Sequence, residues 1–456
     1  MVDFKEEVLK IKDEMIADIQ TICRIPSILD MTTAKANQPF GQGCREALDC
    51  MLSFGKRDGF VVKDVDGYAG HIDIGEGEEI IGVLGHLDVV PVNADGWVYP
   101  PFSATLKDGV LYGRGTSDDK GPTIAAYYAA KLIHDLKLPT KRKMRIIFGC
   151  DEESGSRCMK HYFSKEAFPK WAFTPDAGFP VCYGEKSGCG FKISGTSKAG
   201  QLISMQAGER ANIVPEVVKA VVSGKVSDYQ ASYEQFLQAN QVSGEIKEVA
   251  NGVELTLVGK SAHASIPDLG KNAVVVLAKY LSEVTKHDVA KWIDTYFQDD
   301  NHAKKLGFYF NGAMGEITVN LGIINYENDQ VNIVLDCRCP HDMDFEAMEE
   351  AMHKALAPLG WKEEHHVGPY LFVDPKSELI QKLHEAYVKY THDDQAKPMT
   401  MGGGTYAKAM PNTCVAFGME FPGSPNQIHE NNEILRIDEL LLGCAIYAEA
   451  LYNLVK

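Results

Sequence analysis

The chain has 456 residues, of which 45% are hydrophobic and 24% charged, and its formal net charge is −17. This length exceeds what one ordinary hydrophobic core organises, so we expect two domains. An acidic surface repels phosphate backbones and disfavours nucleic-acid binding, and no apolar run reaches the length of a membrane span.

The N-terminal segment has the pattern of a charged amphipathic helix and lacks the apolar centre of a signal peptide. The 11 cysteines are odd in number and form no repeating framework. Such cysteines are typical of reduced thiols inside the cell. We therefore expect a cytoplasmic protein that binds neither nucleic acid nor membranes.

Helix-like and strand-like segments alternate over residues 1–185. Helical patterns occupy residues 6–23, 45–57 and 122–136, and short apolar runs occupy residues 80–84, 143–148 and 171–173. Buried apolar strands separated by helices are typical of an α/β domain with a mixed, largely parallel sheet flanked by helices. Residues 1–185 are thus interpreted as the first part of such a domain.

The pattern changes over residues 186–374. Residues 315–339 resemble a β-hairpin, residues 272–284 a helix beside a sheet, and β-branched residues alternate in several other runs. We expect an inserted α+β domain, built from two α+β subdomains. The helix-rich pattern returns over residues 375–456, with a helix at 376–392, a buried strand at 413–418 and a long helix that Asp438 is expected to cap.

Metal-ligand side chains follow each apolar run of the first domain. Open α/β sheets place ligands at the carboxyl ends of their strands, so these side chains should meet at one edge. Each alone is typical of a solvated surface group, but together they would repel one another without cations. Imidazoles and carboxylates without thiolates favour a binuclear hydrolytic site for zinc, manganese or cobalt. The residues are His86, Asp88, Asp118, Glu152, Glu153, Asp176 and His429.

Two spacings suggest roles within this set. In an extended segment residues i and i+2 point the same way, so the carboxylate of Asp88 could accept a hydrogen bond from His86 and fix its tautomer. Adjacent side chains diverge, so one of Glu152 and Glu153 could ligate a metal while the other reaches a water as a general base.

Several motifs together resemble one family. HLDVVP, GRGTSDDKGP, DEESGS, TPDAG, GKSAHAS and the late His429 are similar, over nearly the whole chain and in the same order, to the co-catalytic zinc metallopeptidases that include aminoacylases, carboxypeptidases and dipeptidases. The long insertion and the DDKGP variant look most like bacterial PepV-type, carnosinase-like dipeptidases. The resemblance implies a zinc-peptidase-like fold, an inserted lid domain, and two Zn²⁺ ions, with Mn²⁺ or Co²⁺ as alternatives.

The resemblance also implies individual roles at the metal site. Asp118 would bridge both metals. His86 and Asp176 would complete one metal site, and Glu153 and His429 the other. The peptide bond that follows Asp118 would be cis.

Catalytic and substrate-binding roles follow from the same resemblance. Glu152 would be the general base for a water held between the metals, and Asp88 would orient His86. His263 of the lid would stabilise the oxyanion. Substrate would be held by lid residues and by the GGGT run; the residues concerned are Asn212, Arg338 for the terminal carboxylate, Gly403 and Thr405.

Aspartate at position 176 resembles the peptidases that act near a free amino terminus, which favours a dipeptidase acting on small peptides. The alternative within the family is an N-acyl amino acid deacylase or desuccinylase. A third hypothesis is a non-catalytic metal- or peptide-binding protein, which the presence of Glu152 disfavours. The long insertion looks like a doubled lid that imitates a missing partner, so we expect a monomer in which His263 serves its own chain.

Overall fold

Ten α-helices and 24 strands form within residues 2–198, 200–410, 412–425 and 427–456, which are the residues that the computed structural model describes. The helices are α1 (Phe4–Cys23), α2 (Gln42–Arg57), α3 (Lys120–Asp135), α4 (Arg157–Lys165), α5 (Val226–Ala239), α6 (Ala273–Val284), α7 (Asp288–Phe297), α8 (Phe345–Leu356), α9 (Glu378–Thr391) and α10 (Ile437–Val455).

The strands range from two to ten residues in length. They are β1 (Val61–Val65), β2 (Ala69–Ile74), β3 (Ile80–His86), β4 (Thr105–Lys107), β5 (Val110–Tyr112), β6 (Lys143–Gly149), β7 (Trp171–Thr174), β8 (Ala177–Gly178), β9 (Cys182–Glu185), β10 (Ser187–Thr196), β11 (Leu202–Ala207), β12 (Val217–Val222), β13 (Ser243–Val249), β14 (Gly252–Val258), β15 (Asn311–Gly312), β16 (Gly315–Glu316), β17 (Thr318–Glu327), β18 (Gln330–Cys339), β19 (Lys362–Val367), β20 (Leu371–Phe372), β21 (Met399–Met401), β22 (Cys414–Ala416), β23 (Met419–Glu420) and β24 (Ile434–Arg436).

The chain divides into two units, each with its own core. The first unit contains Met1–Gly184, Leu371–Met399 and Thr405–Lys456. The second contains Glu185–Tyr370 and Thr400–Gly404. Among the described residues, no helix has both the length and the apolar character that crossing a bilayer requires.

A mixed sheet with the order β1-β2-β6-β3-β7-β22-β9-β20 is the main sheet of the first unit. Strand β3 runs parallel to both β6 and β7, and β7 runs parallel to β22. Strands β1 and β2 extend the sheet in the antiparallel sense. Because parallel strands end at the same edge, the residues that follow β3, β6 and β7 emerge side by side.

Helices α1, α3 and α10 pack together in the first unit, and α3 is buried along most of its length. A Cβ atom on Gly85 of β3 would lie 1.9 Å from the hydroxyl oxygen of Thr123, so only glycine allows α3 to approach this strand so closely. The close approach places the N-terminus of α3 beside the end of β3.

The second unit is an antiparallel α+β structure. Its eight-stranded sheet has the order β13-β14-β12-β11-β17-β18-β10-β19. Strands β17 and β18 form the predicted hairpin, whose two-residue turn is made by Asn328 and Asp329 with positive φ. Helix α6 matches the predicted helix and is capped by the side chain of Asn272.

Most predicted elements agree with the structure, and the mixed α/β fold class is confirmed. The predicted cap of the last helix is wrong. The N-cap residue of α10 is Arg436, and Asp438 lies in the first turn. A carboxylate in the first turn still stabilises the helix through its favourable interaction with the helix dipole.

Candidate metal centre

The ends of three neighbouring strands and the start of one helix surround the candidate metal centre. Strand β3 ends at His86, β6 leads into Glu152 and Glu153, and Asp176 lies two residues beyond β7. Asp118 lies two residues before α3, and the peptide bond between Asp118 and Asp119 is cis, as predicted. His429 lies between β23 and β24.

Asp118 is buried between two imidazoles. Its Oδ1 atom lies 2.8 Å from Nε2 of His86, and its Oδ2 atom lies 2.9 Å from Nε2 of His429. Desolvation opposes ionisation of Asp118, but these two hydrogen bonds lower its pKa below the ordinary value. The two oxygens of one carboxylate therefore serve two different histidines.

Two further carboxylates lie next to the same imidazoles. Glu153 places Oε1 3.0 Å from Nε2 of His429, and Asp176 places Oδ2 3.7 Å from Nε2 of His86. Two groups of donor atoms each fall within 4.8 Å of one another, and each could hold a metal ion. These groups are His86, Asp118 and Glu153, and His86, Glu152 and Asp176.

The adjacent residues Glu152 and Glu153 lie in a turn after β6, not in the extended chain that the prediction assumed, and their side chains have different neighbours. Glu153 contacts His429, whereas Glu152 belongs to the group with His86 and Asp176. Desolvation raises the pKa of Glu152 well above its ordinary value, and the Glu153 carboxylate raises it further against the opposing effect of His86. Desolvation also raises the pKa of Asp176, as does the neighbouring Asp118. So many acidic groups in one place favour the binding of cations.

The contacts of Asp88 differ from the prediction. Nδ1 of His86 lies 3.0 Å from the backbone carbonyl oxygen of Asp88, within hydrogen-bond distance, but 3.6 Å from the carboxylate. The carboxylate instead accepts the backbone N–H groups of Glu152 and Glu153, both at 3.1 Å. A carboxylate oriented by two adjacent N–H groups cannot also turn fully toward the imidazole. Asp88 thus holds His86 through its main chain and the two glutamates through its side chain.

Two residues to which the sequence assigned no role support this edge. The Asp119 carboxylate accepts the backbone N–H of His86 at 3.1 Å and the Thr123 hydroxyl at 2.9 Å, which ties β3 to α3. The buried hydroxyl of Tyr406 accepts the backbone N–H of Asp151 at 3.3 Å, and the Tyr406 ring meets His86 edge to face. The only sequence signal for Tyr406 was its place directly after the GGGT run.

The second unit brings two pairs of the predicted lid residues together. Residues Ile213 and His263 form a β-bridge, and the carbonyl of Asn212 accepts the N–H of Ala264 at 2.9 Å, so Asn212 and His263 are neighbours. His263 is exposed, and its Nδ1 atom lies 2.7 Å from the Ser265 hydroxyl oxygen.

Arg338 forms a bidentate ion pair with Asp336, with N–O distances of 2.7 and 3.0 Å. Its Nη1 atom also donates to the carbonyl of Gly402 at 3.0 Å, beside Gly403 in the same unit. Thr405 belongs to the first unit, is buried, and uses its hydroxyl oxygen to cap the short helix that begins at Tyr406. The hydroxyl oxygen thus has a structural role as a helix cap.

A family model described as Peptidase family M20/M25/M40 matches residues 82–453, which include the whole candidate metal centre. The chain belongs to this family. It is therefore a metallopeptidase, as the resemblance of its motifs predicted.

Similar proteins match this M20 peptidase over its full length. It is 36% identical to "Putative dipeptidase YtjP" of Bacillus subtilis over 100% of both chains, and 37% identical to "Putative dipeptidase" of Staphylococcus epidermidis over 99% of both. The solved structure of dipeptidase Dug1p from Saccharomyces cerevisiae has a TM-score of 0.59 at 14% identity and covers 99% of this chain and 98% of its own. Human carnosine dipeptidase 1 has a TM-score of 0.57 at 14% identity, with the same coverage. At this identity the structures share the fold.

Proposed function

We propose that this M20 peptidase is a dipeptidase that binds two divalent metal ions and hydrolyses dipeptides with a free amino terminus. The observation that carries the proposal is the position of Asp118, whose two carboxylate oxygens face His86 and His429 separately at 2.8 and 2.9 Å. One metal would be held by His86, Asp118 and Asp176. The other would be held by Asp118, Glu153 and His429.

The donor set fits the proposed metals. Imidazole nitrogens and carboxylate oxygens without thiolates suit Zn²⁺, and also Mn²⁺ or Co²⁺. When bound, such a pair of ions polarises the scissile carbonyl and makes water more acidic. Zinc is our first choice for this site.

Glu152 is the general base in this proposal. Its carboxylate lies within 4.8 Å of the donor atoms of His86 and Asp176, so it is beside the position proposed for the first metal ion. Its backbone is held by the Asp88 carboxylate, which limits its movement. The carboxylate would take a proton from the attacking water and return one to the leaving amine.

We assign substrate contacts to the second unit, which would act as the lid. His263 would donate a hydrogen bond to the oxyanion from Nε2, since Nδ1 faces Ser265. Asn212 lies beside it and would hold the substrate. The Arg338 guanidinium has five N–H groups, and among the described residues Asp336 and Gly402 accept three of them, which leaves donors for the C-terminal carboxylate.

The remaining predictions from the sequence complete the proposal. Gly403 lies next to the Arg338 contact and would offer its backbone to the same carboxylate. Thr405, whose hydroxyl oxygen caps the short helix, is the other proposed residue of this run. We also propose a cytoplasmic monomer. No disulfide joins the 11 cysteines that the structure describes, as expected in a reducing compartment.

The substrate class is supported by the relatives, since those at 36–37% identity over 99–100% of both chains carry dipeptidase in their names. The test is to strip the protein of metal, restore zinc, manganese or cobalt, and assay free, N-acetylated and N-succinylated dipeptides. We expect metal-dependent cleavage of the free dipeptides. Equal or faster cleavage of the acylated ones would identify a deacylase or desuccinylase, and no cleavage with any metal would overturn the enzymatic proposal.

A further inference from the structure

Glu433 lies four residues after His429, and its side chain is completely buried. It is not one of the donors that surround the metal centre. It lies instead against the loop of residues 113–118, which ends at Asp118. The backbone that carries one proposed metal ligand is thus held by a residue from the segment that carries another.

The Glu433 carboxylate accepts four hydrogen bonds from this loop. Its Oε1 atom accepts the backbone N–H groups of Ser117 at 2.8 Å and Asp118 at 3.1 Å. Its Oε2 atom accepts the backbone N–H of Gly115 at 3.1 Å and a guanidinium N–H of Arg114 at 2.8 Å. Both oxygens are therefore fully occupied by groups of one short loop.

The main chain next to Glu433 continues the same attachment. The carbonyl of Glu433 accepts the N–H of Gly113 at 3.0 Å, and the carbonyl of Ile434 accepts the Ser117 hydroxyl at 2.6 Å. Strand β24 then pairs with β5, in the register Ile434 opposite Tyr112. The 113–118 loop is thus fixed at both its ends and at its middle to the segment that follows His429.

We propose that Glu433 is a positioning residue that sets the Asp118 carboxylate in register with His429, so that one carboxylate can serve two metal ions. The inference rests on the proposed metal site. Asp118 must present one oxygen to each histidine, and both N–H groups that precede its side chain, those of Ser117 and Asp118 itself, are held by a single oxygen of Glu433. A shift of this backbone would move Asp118 away from one imidazole or the other.

The charge of Glu433 also requires an explanation. A buried carboxylate near Asp118 adds repulsion to an acidic site, and only Arg114 and the three backbone N–H groups among the described contacts offset it. Glutamine in its place would keep the shape, but its NH₂ group would face either the Ser117 and Asp118 N–H groups or those of Gly115 and Arg114. Donor would meet donor, so the loop would have to move.

The test compares metal binding by the full chain with and without this carboxylate. Metal-stripped wild-type protein, Glu433→Gln and Glu433→Asp are titrated with zinc in a calorimeter, and circular dichroism establishes that each apoprotein is folded. The matched control is Asp73→Asn, which breaks a carboxylate–arginine pair between β2 and β6. This pair with Arg145 is on the main sheet of the first unit, away from the metal centre. Glu433→Gln should weaken zinc binding about 10- to 100-fold, as removal of a group that orients ligands does.

The control variant should lose thermal stability and keep wild-type zinc affinity. Glu433→Asp keeps the charge but is shorter by one methylene, so it should fold and still bind zinc more weakly than the wild type. If Glu433→Gln does not fold, the zinc affinity of Glu433→Asp alone tests the proposal. The positioning role would be overturned if the folded Glu433 variants bound zinc as tightly as the wild type, or if Asp73→Asn lost as much zinc affinity as they did. Failure of the wild-type protein to bind zinc would instead refute the metal site itself.

Discussion

Replacing Glu152 with glutamine separates catalysis from metal binding at this site. The amide keeps the shape of the side chain and the backbone hydrogen bond to Asp88, but it cannot accept a proton from water. Loss of a general base costs about 100- to 10,000-fold in kcat, which corresponds to about 3–5 kcal/mol in the activation barrier. Because no substrate contact is assigned to Glu152, KM should change little.

The neighbouring residue provides the matched variant. Glu153→Gln removes the carboxylate that lies 3.0 Å from His429, so its main effect should be loss of bound metal. The assay measures kcat and KM on a free dipeptide together with metal content by plasma mass spectrometry. Glu152→Gln should keep its metal and lose turnover, and Glu153→Gln should lose metal. Turnover of Glu152→Gln within about tenfold of the wild type would refute its role as the base.

Three other predictions concern stability, substrate recognition and assembly. Burial lowers the pKa of His71 to about 4, so as the pH falls the unfolded chain takes up a proton before the folded chain does. The contribution of neutral His71 to the free energy of unfolding is therefore fully present above about pH 6.5 and falls by about 3 kcal/mol toward pH 4. The free energy of unfolding of His71→Asn should depend less on pH over this range, and an equal dependence in the wild type and the variant would contradict the prediction. Arg338→Lys should raise KM about tenfold for dipeptides but not for dipeptide amides, and an equal effect on both would exclude contact with the carboxylate. Light scattering should give a mass near 50.2 kDa, and twice that mass would contradict the monomer.

The sequence predicted which strands lead to the candidate ligands, because apolar runs followed by ionisable residues have a direct structural meaning in α/β sheets. In the first unit His86 and His429 indeed lie within hydrogen-bond distance of Asp118, and His429 lies within hydrogen-bond distance of Glu153. The predicted role of Asp88 was less accurate, because the spacing shows where a side chain points but not which of several nearby groups it contacts. The backbone N–H groups that it accepts come from another strand.

Glu433 and Tyr406 could not be recognised from sequence. Glu433 resembles any acidic residue of a polar loop, and only the pairing of β24 with β5 buries it against the 113–118 loop. The sequence pattern around Tyr406 is that of an ordinary core aromatic residue. Its hydroxyl contacts the backbone of Asp151, which is 255 residues away in the sequence. Strand β1 also lacked a clear apolar pattern, because it is largely exposed at the sheet edge.

We propose that Asp118 is shared by two metal ions. Metal content per chain, measured by plasma mass spectrometry after gel filtration, tests it in the wild type and in Asp118→Asn. The wild type should retain about two ions per chain and the variant fewer than about one, because both sites lose a ligand. A wild type that holds about one ion, or a variant that keeps about two, would contradict the shared site.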